Sequence, residues 1–204
     1  MTVLIPGARD VRATLDTPTA QSESASFDRL VVACPPHPQM GGDRTDGRLL
    51  AVSDTLTERG IACLRIDYGS WDDGKGETTD VTNAIEWARE RAESVGLFGY
   101  SFGGTVALLA ADRLSPDALS VLAPGESVIG GADPVAVLSG VKCPGQLLYG
   151  ERDTVVDSER LIERASAAGF DVASLAGDHF FIGQQAKIAD LVGTFFDSAL
   201  TEHS

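Results

Sequence analysis

A serine between two glycines stands in the segment Gly99-Tyr-Ser-Phe-Gly103. This segment follows a short apolar run, Ser94 to Phe98, and precedes an apolar stretch with helical character, Thr105 to Ala111. A serine at a tight turn between a strand and a helix presents its hydroxyl above the sheet, as in a nucleophile elbow. Ser101 is therefore the candidate nucleophile, and the N–H of Phe102 is a candidate donor to an oxyanion. A plain glycine-rich turn is the alternative.

Three histidines are candidates for the base that a serine hydroxyl needs in order to attack a carbonyl. His203 stands near the end of the sequence, where we expect fraying. His37 precedes a proline in a loop before the nucleophile. His179 follows the last predicted strand and is the remaining candidate, the alternative being a partly buried structural histidine.

An acid is needed to orient the histidine and to stabilise its charged form. Asp153 follows the predicted strand Gln146 to Tyr149, and it lies between the serine and the histidine in the chain order that the elbow motif predicts. Asp is also common in surface turns. Glu126, after the preceding strand, is a rival acid. Asp178 is less suitable, because the side chains of neighbouring residues such as Asp178 and His179 diverge.

A second oxyanion donor is expected in the loop after an earlier strand, Cys34-Pro-Pro-His-Pro-Gln-Met-Gly-Gly42. If His37 and Pro38 replace the His-Gly pair usual in such loops, the donor is the N–H of Gln39, with Met40 in reserve. His37 then shapes the loop and is not a second base.

Short apolar runs alternate with helical patterns, which predicts a mostly parallel sheet with helices on both faces. We expect a three-layer α/β fold and one domain over residues 1–204. Val11, Ala13 and Leu15 alternate with polar residues and predict antiparallel edge strands. The segment between Leu122 and Gln146 has room for one short helix, Ala132 to Leu138, so no cap domain is expected. The other predicted strands are Arg29 to Cys34, Ile61 to Ile66 and Asp171 to Leu175, and the other predicted helices are those around Leu49 to Leu56, Val81 to Ala92, Leu161 to Ala168 and Ile188 to Phe196.

The composition excludes several kinds of partner. A net charge of −14 argues against nucleic acid, which would be repelled. No apolar run is long enough to cross a membrane, and no secretory signal is visible, so we expect a cytoplasmic protein.

The three cysteines have no spacing typical of a disulfide framework or a zinc site. The many acids and the three lysines resemble the composition of halophilic proteins, an ordinary acidic bacterial enzyme being the alternative.

Six segments are informative when taken together: His37 to Gly42, Arg65 to Gly69, Gly74 to Asp80, Gly99 to Gly104, Gly150 to Asp153 and Asp178 to Phe181. In combination they resemble a family of small α/β-hydrolases close to dienelactone-hydrolase-like proteins. The similarity extends from Asp28 to Phe196. It implies an esterase-like fold without a lid and a Ser-Asp-His triad, although dienelactone hydrolases proper have cysteine where this chain has Ser101. Glu77 and Asp80 recur in the same family and are interpreted as loop and helix-start residues.

The expected reaction is acyl transfer from a small-molecule ester or thioester to water, with neither metal nor cofactor. An amidase or a cofactor-free haloperoxidase would share every residue named so far. A binding protein that retains the fold without catalysis is a further alternative, because fold does not determine function.

Overall fold

The computed structural model describes residues 1–19 and 26–201, so His203 lies outside the described residues. The strands are β1 (Thr2–Leu4), β2 (Arg12–Asp16), β3 (Phe27–Cys34), β4 (Ala62–Ile66), β5 (Ala92–Tyr100), β6 (Ala118–Leu122), β7 (Gly145–Gly150) and β8 (Asp171–Leu175). The helices are α1 (Gly47–Glu58), α2 (Lys75–Arg89), α3 (Phe102–Leu114), α4 (Pro134–Val137), α5 (Glu159–Ala167) and α6 (Gln185–Ala199). A 3-10 turn, Pro38–Met40, precedes α1.

The eight strands form one sheet in the order β1-β2-β4-β3-β5-β6-β7-β8. Strands β3 to β8 run parallel, whereas β1 and β2 form an antiparallel edge. The antiparallel edge predicted from Val11, Ala13 and Leu15 is therefore confirmed. Because the carboxyl ends of β3 and β5 to β8 meet at one edge of the sheet, the loops that follow them lie close together.

Both faces of the sheet are buried, which gives the predicted three layers. Along β3, Leu30 and Val32 belong to the core beneath α2, α3 and α5, whereas Val31 and Ala33 belong to the core beneath α1 and α6. Alternate side chains of a strand point to opposite faces, so a strand covered on both sides is apolar throughout. The α/β fold predicted from the sequence is thus confirmed.

The element boundaries differ from the prediction mainly around α2 and α4. Helix α2 ends at Arg89, and Ala92, predicted as the last position of its apolar stripe, opens β5 instead because it pairs with Phe27. Between β6 and β7 the only described helix is the single turn α4, which starts at Pro134 behind the N-cap Asp133. This connection joins two neighbouring parallel strands, and among residues 1–19 and 26–201 no cap domain stands over the carboxyl edge.

Candidate active site

Ser101 occupies a sharp turn between β5 and α3. Its φ of 57° lies in the left-handed region, which a residue with a side chain adopts only at a cost. The turn is held by the N–H of Ser101, which donates to Leu122 O of β6 at 2.8 Å. A Cβ on Gly103 would lie 2.3 Å from Cys34 O, so α3 can pack this closely against the end of β3 only because residue 103 is glycine.

His179, in the loop after β8, lies between Ser101 and Asp153. Ser101 Oγ is 2.9 Å from His179 Nε2, and Asp153 Oδ2 is 2.7 Å from His179 Nδ1. The side chains of His179 and Asp153 are only 5% and 6% exposed, so water competes little for these hydrogen bonds. The structure therefore brings together the three side chains that the sequence singled out, in the order hydroxyl, imidazole, carboxylate.

The carboxylate of Asp153 is oriented by the backbone that follows it. Its Oδ1 accepts hydrogen bonds from the N–H of Val155 at 2.9 Å and from the N–H of Val156 at 3.3 Å. With one oxygen held in this way, the other oxygen faces His179. A carboxylate fixed at Nδ1 leaves Nε2 as the ring nitrogen that can accept a proton from Ser101.

The two rival acids bond elsewhere. Glu126 Oε2 accepts from the N–H of Arg160, in the first turn of α5, at 2.9 Å. Asp178 Oδ1 accepts from the N–H of Phe180 at 3.0 Å. Within residues 1–19 and 26–201, neither carboxylate is hydrogen-bonded to His179, and Asp153 is the acid in contact with its ring.

The structure does not bring Gln39 to the cavity. The loop after β3 closes on itself as a 3-10 turn, in which the N–H of Gln39 donates to His37 Nδ1 at 3.3 Å. The N–H of Met40, the reserve candidate, donates to His37 O at 3.0 Å. The expectation that Gln39 or Met40 offers a donor to Ser101 is therefore not supported, because the turn itself uses both groups.

Two other residues line the cavity together with Ser101 and have a backbone N–H that their own turn does not use. Phe102 is the first residue of α3, and the first N–H groups of a helix have no partner within the helix. His37 lines the same cavity as Ser101, and its N–H has no acceptor within the part of the chain that the structure describes. The flanking Pro36 and Pro38 have no N–H. His37 is thus the residue of this loop whose backbone donor is available.

Aromatic rings hold the His37 loop in place. The imidazole of His37 lies 4.5 Å from the ring of Trp71 and 4.8 Å from that of Phe102, centroid to centroid. Tyr68 donates its hydroxyl to Pro35 O at 3.0 Å. Burial lowers the pKa of His37, which favours the neutral ring that accepts from Gln39.

Two buried acids hold the segment that carries Trp71. Glu77 Oε2 accepts from the N–H of Gly74 at 2.8 Å, and Asp80 Oδ2 accepts from the N–H of Gly69 at 2.9 Å. Arg9, from the N-terminal segment, pairs with Asp80 at 2.8 Å. Glu77 therefore is the helix-start residue that the sequence indicated, whereas Asp80 also anchors the loop before it.

The residues around Ser101 line an open cavity of about 570 Å³. Asp46, Arg48 and Tyr100 supply polar groups to its wall, and an apolar portion includes Ile129, Val155 and Val156. No role for Arg48, Tyr100 or Trp71 is predicted from the sequence. Tyr100 lies within the elbow motif and could have been noticed there, whereas the sequence carries no signal for Arg48 or Trp71.

Neither a metal-binding cluster nor a membrane-spanning helix occurs in the described residues. Residues 1–19 and 26–201 contain no group of three or more His, Cys, Asp and Glu side chains arranged to hold a metal ion. In the same ranges no helix combines the length and the apolar character that a membrane crossing requires.

Comparison with solved structures shows the α/β-hydrolase fold. An α/β serine hydrolase without lid from Xanthomonas campestris is 22% identical with a TM-score of 0.80, over 96% of this chain and 93% of that one. Est1E from Butyrivibrio proteoclasticus is 16% identical with a TM-score of 0.82, over 98% and 99% of the two chains. A dienelactone hydrolase from Anabaena variabilis is 20% identical with a TM-score of 0.76, over 98% and 97%.

Sequence comparison identifies the family. The chain belongs to the family described as X-Pro dipeptidyl-peptidase (S15 family), whose model matches residues 65–187. It is also 27% identical, over 165 residues, to an uncharacterized protein of Rickettsia prowazekii, with 72% of this chain and 69% of that protein covered. Family and fold together support hydrolase activity and the resemblance to dienelactone-hydrolase-like proteins.

Proposed function

We propose that this hydrolase cleaves a small carboxylic ester or thioester through an acyl-enzyme on Ser101. The observation that carries the proposal is the buried chain of contacts from Ser101 Oγ to His179 Nε2 at 2.9 Å and from His179 Nδ1 to Asp153 Oδ2 at 2.7 Å. A serine hydroxyl becomes an effective nucleophile when a neighbouring base takes its proton and an acid orients that base.

The acylation step follows from these contacts. Ser101 Oγ attacks the carbonyl carbon while His179 Nε2 takes the hydroxyl proton, and the carbonyl π electrons move to its oxygen. When the tetrahedral intermediate collapses, the bond to the leaving group breaks and His179 returns the proton to that group. Asp153 keeps its negative charge and stabilises the imidazolium that forms between the two proton transfers.

The oxyanion is stabilised by two backbone N–H groups, those of Phe102 and His37. Both residues line the cavity beside Ser101, and neither N–H is used within its own turn. A donor already in place costs no reorganisation when the negative charge develops. His37 therefore replaces Gln39 as the second donor in the mechanism that we propose.

Deacylation repeats the same chemistry with water. His179 Nε2 takes a proton from a water molecule as that molecule attacks the acyl carbonyl, and it then protonates Ser101 Oγ as the acid leaves. Because no cap stands over the carboxyl edge in the part of the chain that the structure describes, water can reach the acyl-enzyme directly. The partner implied by this scheme is a small-molecule substrate.

An amide substrate is the second candidate, because the matching family is described as X-Pro dipeptidyl-peptidase. The triad geometry would serve either an alcohol or an amine leaving group, so rates with ester and amide substrates are needed to distinguish an esterase from a peptidase. A related solved structure is described as ferulic acid bound to Est1E, which supports including an aromatic acyl group among the esters tested.

Labelling with a fluorophosphonate probe, followed by a substrate panel, tests the proposal. We expect wild-type protein to be labelled at Ser101 and to hydrolyse p-nitrophenyl acetate, a feruloyl ester or a thioester faster than a dipeptidyl X-Pro p-nitroanilide. Ser101→Ala should abolish labelling and lower turnover by about four orders of magnitude or more. More than a tenth of wild-type activity in this variant would overturn the assignment, and a preference for the anilide would favour the peptidase.

A further inference from the structure

We propose that Tyr100 and Arg48 are positioning residues, which hold two consecutive carbonyl groups of the loop that carries His179. The proposal rests on the hydrolase mechanism proposed above. Neither residue touches the reacting atoms in that mechanism, and both act through the backbone of the histidine loop.

Tyr100 makes the first of these contacts. It directly precedes Ser101, and its hydroxyl donates to His179 O at 2.9 Å. Only 2% of Tyr100 is exposed, and burial raises its pKa to about 12, so the hydroxyl keeps its proton and remains a donor at ordinary pH. The residue before the nucleophile is thereby bonded to the backbone of the base.

Arg48 makes the second contact, one residue further along the loop. Its Nη1 donates to Phe180 O at 2.9 Å, and the centre of its guanidinium lies 4.4 Å from the centroid of the Tyr100 ring. Asp46 fixes the guanidinium through Nε at 2.9 Å and through a second contact at Nη2. Asp46 is also the N-cap of α1, so the guanidinium is anchored to a regular element.

A substrate-binding role for Arg48 is the natural alternative, because Arg48 lines the cavity. Its charge is compensated by the carboxylate of Asp46, whose side chain is only 9% exposed. Its other contacts are with a neutral carbonyl of the histidine loop and with the face of the Tyr100 ring. These contacts favour positioning of the loop over capture of an anionic substrate, and the two roles predict different kinetic changes.

The imidazole of His179 has to satisfy Ser101 and Asp153 at the same time, at 2.9 and 2.7 Å. A misplacement of about 1 Å at a reacting group can lower a rate a hundredfold. Phe180, between His179 and the fully buried Phe181, is 51% exposed and provides little packing of its own. Hydrogen bonds to the carbonyls of residues 179 and 180 therefore add to the packing of His179 and Phe181, and they restrict the loop at the exposed Phe180, where packing is weak.

The test compares Tyr100→Phe, Arg48→Met and Arg48→Lys with two matched controls. Tyr149→Phe removes a hydroxyl with no hydrogen-bond partner within residues 1–19 and 26–201. Arg59→Lys alters the pair between Arg59 and Asp190 at 2.8 Å, which also joins α1 to the C-terminal part of the chain. We expect the controls to keep wild-type kcat.

For Tyr100→Phe we expect kcat to fall about tenfold, and for Arg48→Met about ten- to a hundredfold, with KM changed less than about twofold. Arg48→Lys should be intermediate, since an ammonium retains the charge but not the fork geometry. An unchanged kcat, losses as large in the controls, or a rise in KM confined to anionic esters in the Arg48 variants would overturn the proposal.

A second readout does not depend on turnover. The Nδ1–H resonance of His179 should be sharp in wild-type protein and broadened by exchange in Tyr100→Phe and Arg48→Met, but not in the controls. If the wild-type protein failed to react with a fluorophosphonate while this pattern held, the proposed function would fail and the positioning role would stand. Equal resonances in all variants would refute the positioning role alone.

Discussion

The two sides of the cavity are held in different ways. On one side, Ser101, His179 and Asp153 contact one another through side chains that follow β5, β8 and β7. On the other side, the loop after β3 offers a backbone N–H, and its position depends on ring contacts between His37 and residues distant in the chain, Trp71 and Phe102. A site built from side chains can be predicted from the residue types in the sequence. A backbone N–H is present at almost every position, so only the conformation of the folded loop determines which N–H is free to donate.

The largest loss of activity should come from a substitution of the triad acid, Asp153. We expect Asp153→Asn to lower kcat about ten-thousandfold, because an amide can stabilise the wrong tautomer of His179 and cannot balance the charge of its imidazolium. Glu126→Gln is the matched control, since the amide oxygen can still accept from the N–H of Arg160. Its kcat should stay near the wild-type value. Steady-state kinetics with p-nitrophenyl acetate would measure kcat of both variants. A large loss of kcat in Glu126→Gln would show that Glu126, and not Asp153, is the acid of the triad.

A smaller loss of activity should come from removal of the backbone N–H of His37, the proposed donor of the loop after β3. His37 has φ −56°, which proline can adopt, so His37→Pro removes the N–H with little change of the backbone angle. His37→Ala removes the same ring and keeps the N–H. We expect kcat of the proline variant to lie about a hundred- to a thousandfold below that of the alanine variant.

The melting temperatures of these two variants serve as the control for the loop comparison. Similar values, with kcat lower only for His37→Pro, would support the backbone donor. If His37→Ala and His37→Pro lost activity equally, the donor would have to be another group, and the difference between the two sides of the cavity would need a new explanation.

The smallest effect is expected on the melting temperature, which should depend on pH through the imidazole of His37. Burial lowers the pKa of His37 in the folded state, relative to an ordinary value of about 6.5 in the unfolded chain. Above that value both states are neutral at this residue, and below it the unfolded state binds the proton more readily, so folding is disfavoured as the pH falls. The difference in melting temperature between wild type and His37→Asn should therefore shrink from pH 8 to pH 5. A constant or growing difference would contradict this sign.

The fold was largely predictable because its signals are local. The strands at Ala118–Leu122 and Asp171–Leu175 have the predicted bounds, since apolar runs between turn residues define them. The end of α2 was missed, because Ala92 suits a helix by its residue type and joins β5 only through its pairing with Phe27. Helix and strand compete at such positions, and the sheet decides between them.

By itself, the sequence determined the side chains available for chemistry and their order along parallel strands. Ser101, Asp153 and His179 could be selected because few residue types supply a nucleophile, an acid and a base, and because strand ends of a parallel sheet converge. Only the tertiary structure decided which backbone N–H groups of the loop after β3 are used within its turn, and that Arg48 and Tyr100 contact the carbonyls of the histidine loop. Those contacts join residues 79 or more positions apart through backbone atoms, which carry no residue-specific signal.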